Sequence, residues 1–354
     1  MKIGKTKIGV NHRPYYIADI GANHGGSIET AFKLIELAKE SGADAAKFQN
    51  FKAEKIVSKY GFDNMKSKLS HQSSWKKSVY EIYQDASIST DWTHMLKEKC
   101  NEFDIDYFTS PYDFESVDHV DPYVDVYKIG SGDITWLEIL EYISKKNKPV
   151  LFATGASTLD DVKRAYKTIR KFNNDICVMQ CNTNYTLDND KYKFVNLNVL
   201  SLYKREFPDA VLGLSDHTLG CSTVCGSIAL GARIIEKHFT DDNSKEGPDH
   251  KFAMNPKTWK NMVKMGNEVF YSLGDGEKRV EDNEFDSKVV QQRSIRAARK
   301  LNKGHVITRN DLVVLRPITE NGIEPYQINN LINKKINKVI NEGEELEFKF
   351  IYND

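Results

Sequence analysis

Short polar clusters recur along this 354-residue chain, each directly after a brief apolar run. In chain order they hold Asp19, Asn23 and His24; Lys47-Phe48-Gln49; Thr109-Ser110-Pro111; and Lys128-Ile129-Gly130-Ser131-Gly132-Asp133. Further on come Thr154-Gly155, Asn182-Thr183-Asn184-Tyr185, Ser215-Asp216-His217-Thr218 and Glu236-Lys237-His238-Phe239. Two lysines among hydroxyls and glycine-loop amides suit a small, highly charged anion: lysine supplies point charge, the hydroxyls and amides directed donors. In a strand, Lys47 and Gln49 share a face. A single strand lysine is often a snorkelling edge residue, but two at equivalent ends point to function. His217 and His238 end successive apolar runs. On neighbouring strands, ~4.8 Å apart, two imidazoles can share one divalent cation such as a catalytic Mn²⁺. Two hydrogen-bonded core histidines are the alternative. In Gly247-Pro248-Asp249-His250, Asp249 is suited to hold sugar hydroxyls or to act as a base, against the plain alternative of a Pro-Asp turn.

Strands must position these clusters. Eight candidates cover 16–20, 43–48, 105–109, 126–129, 150–153, 176–180, 210–214 and 232–237, and helical patterns such as 28–41 and 159–172 fill most gaps. This alternation predicts parallel βαβ units. Eight of them in about 250 residues is the arithmetic of a (β/α)₈ TIM barrel, whose active site lies at the C-terminal strand ends. A doubly wound open sheet is the runner-up, but residues 21–26 do not fit its G-x-G-x-x-G turn. A hairpin is expected in the first fourteen residues, completing a barrel domain over 1–272. Residues 273–290 are charged and read as a linker; 291–354 read as a small domain of short strands and Gly turns. So short a tail has little core of its own and is expected to dock on the barrel or on a second subunit.

Composition narrows the function classes. Lys plus Arg equals Asp plus Glu, 50 against 50, so no global field attracts nucleic acid. The N-terminus does not read as a signal peptide and no apolar run approaches the ~20 residues of a membrane span; a cytoplasmic protein is expected. The cysteines number five, an odd count that argues against a disulfide framework. The pairs Cys177/Cys181 and Cys221/Cys225 invite a zinc reading, against the plainer one of small buried side chains.

The segments IADIGANHGGS, AAKFQ, YKIGSGD, GLSDHT, IIEKHFT, GPDH and VLRPITENGIEP, in this order and over nearly the whole chain, resemble the sialic acid synthase family, whose relatives make legionaminic and pseudaminic acids. The tail looks like the antifreeze-like (SAF) domain of these synthases. The resemblance implies a transferase that condenses phosphoenolpyruvate with an open-chain N-acylamino sugar aldehyde, N-acetylmannosamine or a related diacetamido hexose. The product is a nonulosonic acid. It implies a divalent metal, Mn²⁺ with Mg²⁺ or Co²⁺ as alternatives, held by His217 and His238. It also implies a domain-swapped homodimer in which each tail covers the partner's site. By the same likeness Lys47, Lys128, Ser110, Ser131 and Ser215 cradle phosphoenolpyruvate. Gln49, Thr183, Tyr185 and Asp249 contact the sugar, Arg316 from the partner's tail reaches its acylamino group, and the catalytic set is Asp19, Lys47, Lys128, Asp133, Glu236 and Asp249.

The chain departs from the family where Asp19 and Asp133 replace the usual Glu, at positions that face the sugar there. Ala153 replaces Ser, Thr183 replaces the Asn of many members, and segment 60–83, rich in Lys, Ser and aromatics, is distinctive. Two rivals remain: a synthase of the same chemistry acting on a different, unusual or phosphorylated sugar, and a non-catalytic sugar-binding barrel.

Overall fold

The computed structural model describes residues 1–65, 75, 77–185 and 189–352. Part of segment 60–83 and Thr186 of the loop CNTNYT lie outside the described residues. An antiparallel hairpin, β1 (Lys2–Ile3) and β2 (Thr6–Lys7), opens the chain. Eight strands follow: β3 (Tyr15–Asp19), β4 (Ala45–Asn50), β5 (Asp106–Pro111), β6 (Tyr127–Ile129), β7 (Val150–Ala153), β8 (Ile176–Cys181), β9 (Val211–Asp216) and β10 (Ile234–His238). They form one sheet in the order β5-β4-β3-β10-β9-β8-β7-β6, with parallel pairing throughout. Strands β5 and β6 pack together across the remaining seam and bring the barrel close to closure. The expected TIM barrel is thus the fold.

The helices are α1 (Ile28–Glu40), α2 (Ala53–Ile56), α3 (Lys59–Asp63), α4 (Val79–Ala86), α5 (Trp92–Glu102), α6 (Phe114–Val120), α7 (Leu137–Ser144), α8 (Leu159–Arg170), α9 (Tyr192–Val195), α10 (Val199–Glu206), α11 (Ser222–Ala229) and α12 (Pro256–Ser272). Side-chain caps fix several starts. Ser27 accepts from the Thr30 amide at α1, Thr158 and Asp161 close a capping box at α8, and Asn255 with Pro256 starts α12. The stretch from α2 to α4 enlarges the connection after the second barrel strand.

Strand residues are buried on both faces, as a sheet walled by helices requires. Several strands run further toward their C-terminal ends than the apolar pattern predicts. Gln49 and Asn50, Ser110, and Ser215 and Asp216 are ladder residues, not loop residues, because backbone pairing, not side-chain polarity, ends a strand.

The chain divides into two compact units, Met1–Gly274 and Asp275–Asp354. Within the stretch read as linker, a 3₁₀ turn (Asp282–Glu284) and most of α13 (Phe285–Gln291) are helical. The second unit pairs β11 (Ser294–Ala297) with β12 (Leu312–Leu315) antiparallel. Contrary to the expectation of little core, it buries Ile295, Leu301, Ile307, Leu331, Ile336, Ile340 and Leu346 together. Its buried Asp311 is tied to Arg299, His305 and Thr308.

Helix α12 packs on the barrel through Gly266. A methyl group there would overlap the Tyr16 hydroxyl and come within 2.9 Å of Ile228 Cδ1. Alanine would favour the helix by ~1 kcal/mol, but Tyr16 is fully buried and overpacking a filled core costs ~1–3 kcal/mol. Gly266→Ala is therefore expected to lower stability by about 1 kcal/mol net, read as a lower urea midpoint at unchanged slope. A raised midpoint would show that the helix gain wins.

Candidate active site

Register alone builds the centre of the barrel mouth. His238 of β10 pairs with Asp19 of β3, and Asp19 pairs with Lys47 of β4. Three polar side chains from three adjacent strands thus stand in one row. Asp19 Oδ2 lies 2.8 Å from Lys47 Nζ and 3.7 Å from His238 Nε2, and Asp19 Oδ1 accepts the Gly21 amide at 3.1 Å. Lys47 is almost fully buried. Burial works against its charge, but Asp19 and Glu236 together hold its pKa above the ordinary lysine value.

One layer down, Glu236 pairs in register with Ser215. Its Oε1 accepts from Ser215 Oγ at 3.1 Å and lies 3.3 Å from Lys128 Nζ of β6. Burial would raise the Glu236 carboxyl, yet the Lys128 and Lys47 ammoniums hold it well below the carboxylate range. Its Oε2 is buried without a hydrogen-bond partner. Lys128 follows the same inward logic, and the turn after β6 carries Ser131 and Asp133. Ser131 Oγ accepts the Gly155 amide at 3.0 Å. Thr183 packs so closely on Gly155 that a Cβ there would overlap its hydroxyl, so the loop after β7 needs glycine. Asp133 is pushed up to about 6 by burial, with Lys128 pulling the other way.

The rings of His217 and His238 lie 5.5 Å apart between centroids. His217 Nδ1 is 3.1 Å from the Asn182 carbonyl. His238 Nδ1 is buried, has no hydrogen-bond partner, and lies 3.8 Å from Asp249 Oδ2. Among the described residues no three His, Cys, Asp or Glu side chains are grouped to hold a metal. What the geometry offers a divalent cation is two imidazoles, one with an unpartnered buried nitrogen, and coordination positions left for water or ligand oxygens. That donor set fits the expected cation.

Above the imidazoles is a cavity of about 370 Å³, lined among others by Gln49, Thr183, Tyr185, His238 and Asp249. Ser110, paired with Gln49 across β4 and β5, is buried beneath it. Arg316 lies in the second unit, where it is exposed. His24, noted with Asn23 after the first barrel strand, is structural. Its Nδ1 accepts the Gly26 amide at 3.1 Å, and burial lowers it to about 4, so it stays neutral. Asn23 Nδ2 donates to the Phe239 carbonyl at 2.9 Å and ties β3 to β10.

Several site residues escaped the reading of strand ends. Phe252 stands against His217, His238 and Tyr185, and Cys181 Sγ lies 3.7 Å from the Thr183 hydroxyl. The cavity wall also holds Phe51, Tyr112 and Trp75, with Ile82, Tyr83 and Ala86 from α4. The aromatic content of segment 60–83 was the available signal for part of that wall. On the outer face of β9 and β10, Asp216 and Lys237 pair at 2.5 Å, both almost fully buried. Lys237 also donates to the Thr218 carbonyl at 2.7 Å and Lys191 to the His217 carbonyl at 2.8 Å, which fixes the loop carrying His217.

Lys128→Met would leave Glu236 buried with half its compensation. Breaking a buried pair this way costs about 3–5 kcal/mol. Lys128→Met is expected to lose that much in chemical denaturation, and Lys128→Met/Glu236→Leu to recover part of it. Equal stability of the two variants would show that the pair does not govern this layer.

Comparison with known proteins gives the family. The chain is 34% identical over 344 residues to N,N'-diacetyllegionaminic acid synthase of Legionella pneumophila, covering 95% of this chain and 94% of that one. It is 29% identical to human N-acetylneuraminate-9-phosphate synthase over 98% of this chain and 95% of that one. Its fold matches the crystal structure of an N-acetylneuraminic acid synthetase from Leptospira borgpetersenii with a TM-score of 0.71 and 25% identity, over 81% of this chain and 94% of that one. The SAF domain matches residues 292–349. The NeuB family matches residues 34–278, and the chain belongs to that family.

Proposed function

We propose that the chain condenses phosphoenolpyruvate with an open-chain N-acylamino sugar, N-acetylmannosamine or a related diacetamido hexose, to give a nonulosonic acid and phosphate. The observation that carries this is the pair of buried lysines, Lys47 and Lys128, beside the two strand-end imidazoles at the mouth of a NeuB-family barrel. Relatives over nearly the whole chain are named for making N,N'-diacetyllegionaminic, pseudaminic and N-acetylneuraminate-9-phosphate products.

In this reading Lys47 and Lys128 take the phosphate and carboxylate charges, and Ser110, Ser131 and Ser215 supply directed hydroxyls. His217 and His238 would hold the divalent cation, whose chemistry when bound is Lewis-acid polarisation of the aldehyde oxygen. Carbon C3 of phosphoenolpyruvate attacks the aldehyde carbon, and the aldehyde oxygen gains a proton. Water adds at C2 and loses a proton, and phosphate leaves the tetrahedral centre to give the 2-keto acid. Gln49, Thr183, Tyr185 and Asp249 orient the sugar, so that positioning supplies much of the rate. Asp133 also faces the sugar, and Asp19 and Glu236 act mainly by keeping the lysines charged and placed. Arg316, from the tail of a domain-swapped partner, completes the sugar subsite.

The apolar wall of Phe51, Ile82, Tyr83 and Ala86 favours a sugar with acyl or methyl substituents over a phosphorylated one, because burying a phosphate there would leave its charge uncompensated.

The test is phosphate release from phosphoenolpyruvate with Mn²⁺ against a panel of acylated and phosphorylated sugars. Release with an acylamino sugar, abolished by a chelator and reduced at least ~10³-fold in His217→Ala and His238→Ala, is expected. Binding without release would leave the non-catalytic reading standing. Asp133 adds a pH signature. Its carboxyl loses its proton as pH rises through about 6, and the charged form is the better acceptor for sugar hydroxyls. The value of kcat/KM for the sugar should therefore fall below that pH, and Asp133→Asn should remove this limb. A limb that persists in Asp133→Asn belongs to another group.

A further inference from the structure

A metal-binding imidazole works in one tautomer and one orientation, and the nitrogen that does not meet the metal sets both. In His217 the held nitrogen is Nδ1, 3.1 Å from the main-chain carbonyl of Asn182. A carbonyl only accepts, so Nδ1 carries the proton and Nε2 keeps the lone pair. His238 has no such hold among the described residues. Its buried Nδ1 is without a hydrogen-bond partner, and Asp249 and Asp19 stand 3.8 and 3.7 Å from its two nitrogens. Of the two imidazoles, His217 is the one the chain has fixed.

The hold comes from one segment, the connection between β8 and α9. Asn182 at its start takes the ring nitrogen. The Tyr185 ring lies 4.3 Å from the His217 ring, centroid to centroid. A 3₁₀ turn (Asn189–Lys191) at its end places Lys191 Nζ 2.8 Å from the His217 carbonyl. Ring edge, ring face and main chain of one residue are thus held by one neighbouring segment. Lys191 is 3% exposed. Burial pulls its ammonium below the ordinary lysine value, with Asp216 pulling the other way. A lysine without a task here would carry its head to water; this one keeps a charged donor on a single carbonyl. The next carbonyl, that of Thr218, is held by Lys237, which pairs with Asp216 inside the sheet. Lys191 comes from outside the sheet, so its loss takes a hold off His217 and leaves that ion pair standing.

We infer that Lys191 is a positioning residue for cation binding. With the Asn182 carbonyl it seats His217 as the Nδ1–H tautomer, Nε2 being left for the metal. The inference rests on the reading of His217 as a metal ligand. It also joins two parts of the site, because the segment that seats His217 carries Thr183 and Tyr185, the residues proposed to meet the sugar.

The experiment strips the full chain with a chelator and titrates it with Mn²⁺, following the free ion by electron paramagnetic resonance. The wild type should bind a single equivalent and His217→Ala none. Lys191→Met and Lys191→Gln, one apolar and one too short to reach the carbonyl, should each weaken binding by about tenfold or more. Lys191→Arg, which keeps a charged donor, should recover most of that loss. In the metal-free wild type at alkaline pH, ¹⁵N-histidine spectra should show an Nδ1–H imidazole whose signal is missing in His217→Ala. Wild-type affinity in a folded Lys191→Met or Lys191→Gln, or an Nε2–H tautomer at His217, would overturn the positioning role and leave the metal reading intact. No Mn²⁺ taken up by the wild type, or undiminished uptake by His217→Ala, would overturn the metal reading and the positioning role with it.

Discussion

Taking a lysine ammonium out of water costs several kcal/mol unless a carboxylate meets it in good geometry. This barrel does so at Lys47, Lys128 and Lys237, opposite Asp19, Glu236 and Asp216. Each pair joins different strands, so each charge is satisfied only when those strands are in register. A slip of one residue would turn these side chains to the wrong face and leave the charges buried and unpaired. The geometry of the mouth is therefore a consequence of electrostatic bookkeeping inside the sheet.

The two faces of β10 divide the work. Glu236 and His238 point inward, where one steadies Lys128 and the other enters the row with Asp19 and Lys47. Lys237 between them points outward, to Asp216 and the Thr218 carbonyl. Strand alternation thus couples a structural ion pair to a chemical row through one backbone, and His217 and His238 inherit their spacing from it.

The strand count, the barrel and the polar strand ends were legible in the sequence because parallel strands buried on both faces leave continuous apolar runs, and polar residues interrupt them only where they are needed. Lys47, Lys128, His217 and His238 stood out for that reason. Asp216 and Lys237 were visible as residues but not as a pair, since partnership across strands depends on register. Phe252 and Cys181 were missed because they come from a loop and a strand terminus with no periodic signal, and the α4 residues because they lie on a helix inserted after the second barrel strand; their roles exist only in three dimensions. The same holds for Asp19. It matched a position expected to face the sugar, but its short side chain is drawn onto Lys47.

That contrast separates the two ends of the cavity. The end proposed to hold the anion is built from strand residues whose placement is tied to buried charges, so a substitution there disturbs the barrel itself. The end proposed to hold the sugar is built from the loop residues Thr183, Tyr185 and Asp249 and from α4, which carry less of the core. Loops on a rigid scaffold tolerate change, so in the proposed function sugar preference is free to drift while the anion grip stays fixed. The two shortened carboxylates fall on either side of this line. Asp19 is held by Lys47 within the fixed row, whereas Asp133 sits half-buried on a turn, with a carboxyl raised by burial and opposed by the charge of Lys128. Of the two departures from the family, Asp133 is the one free to read a substrate.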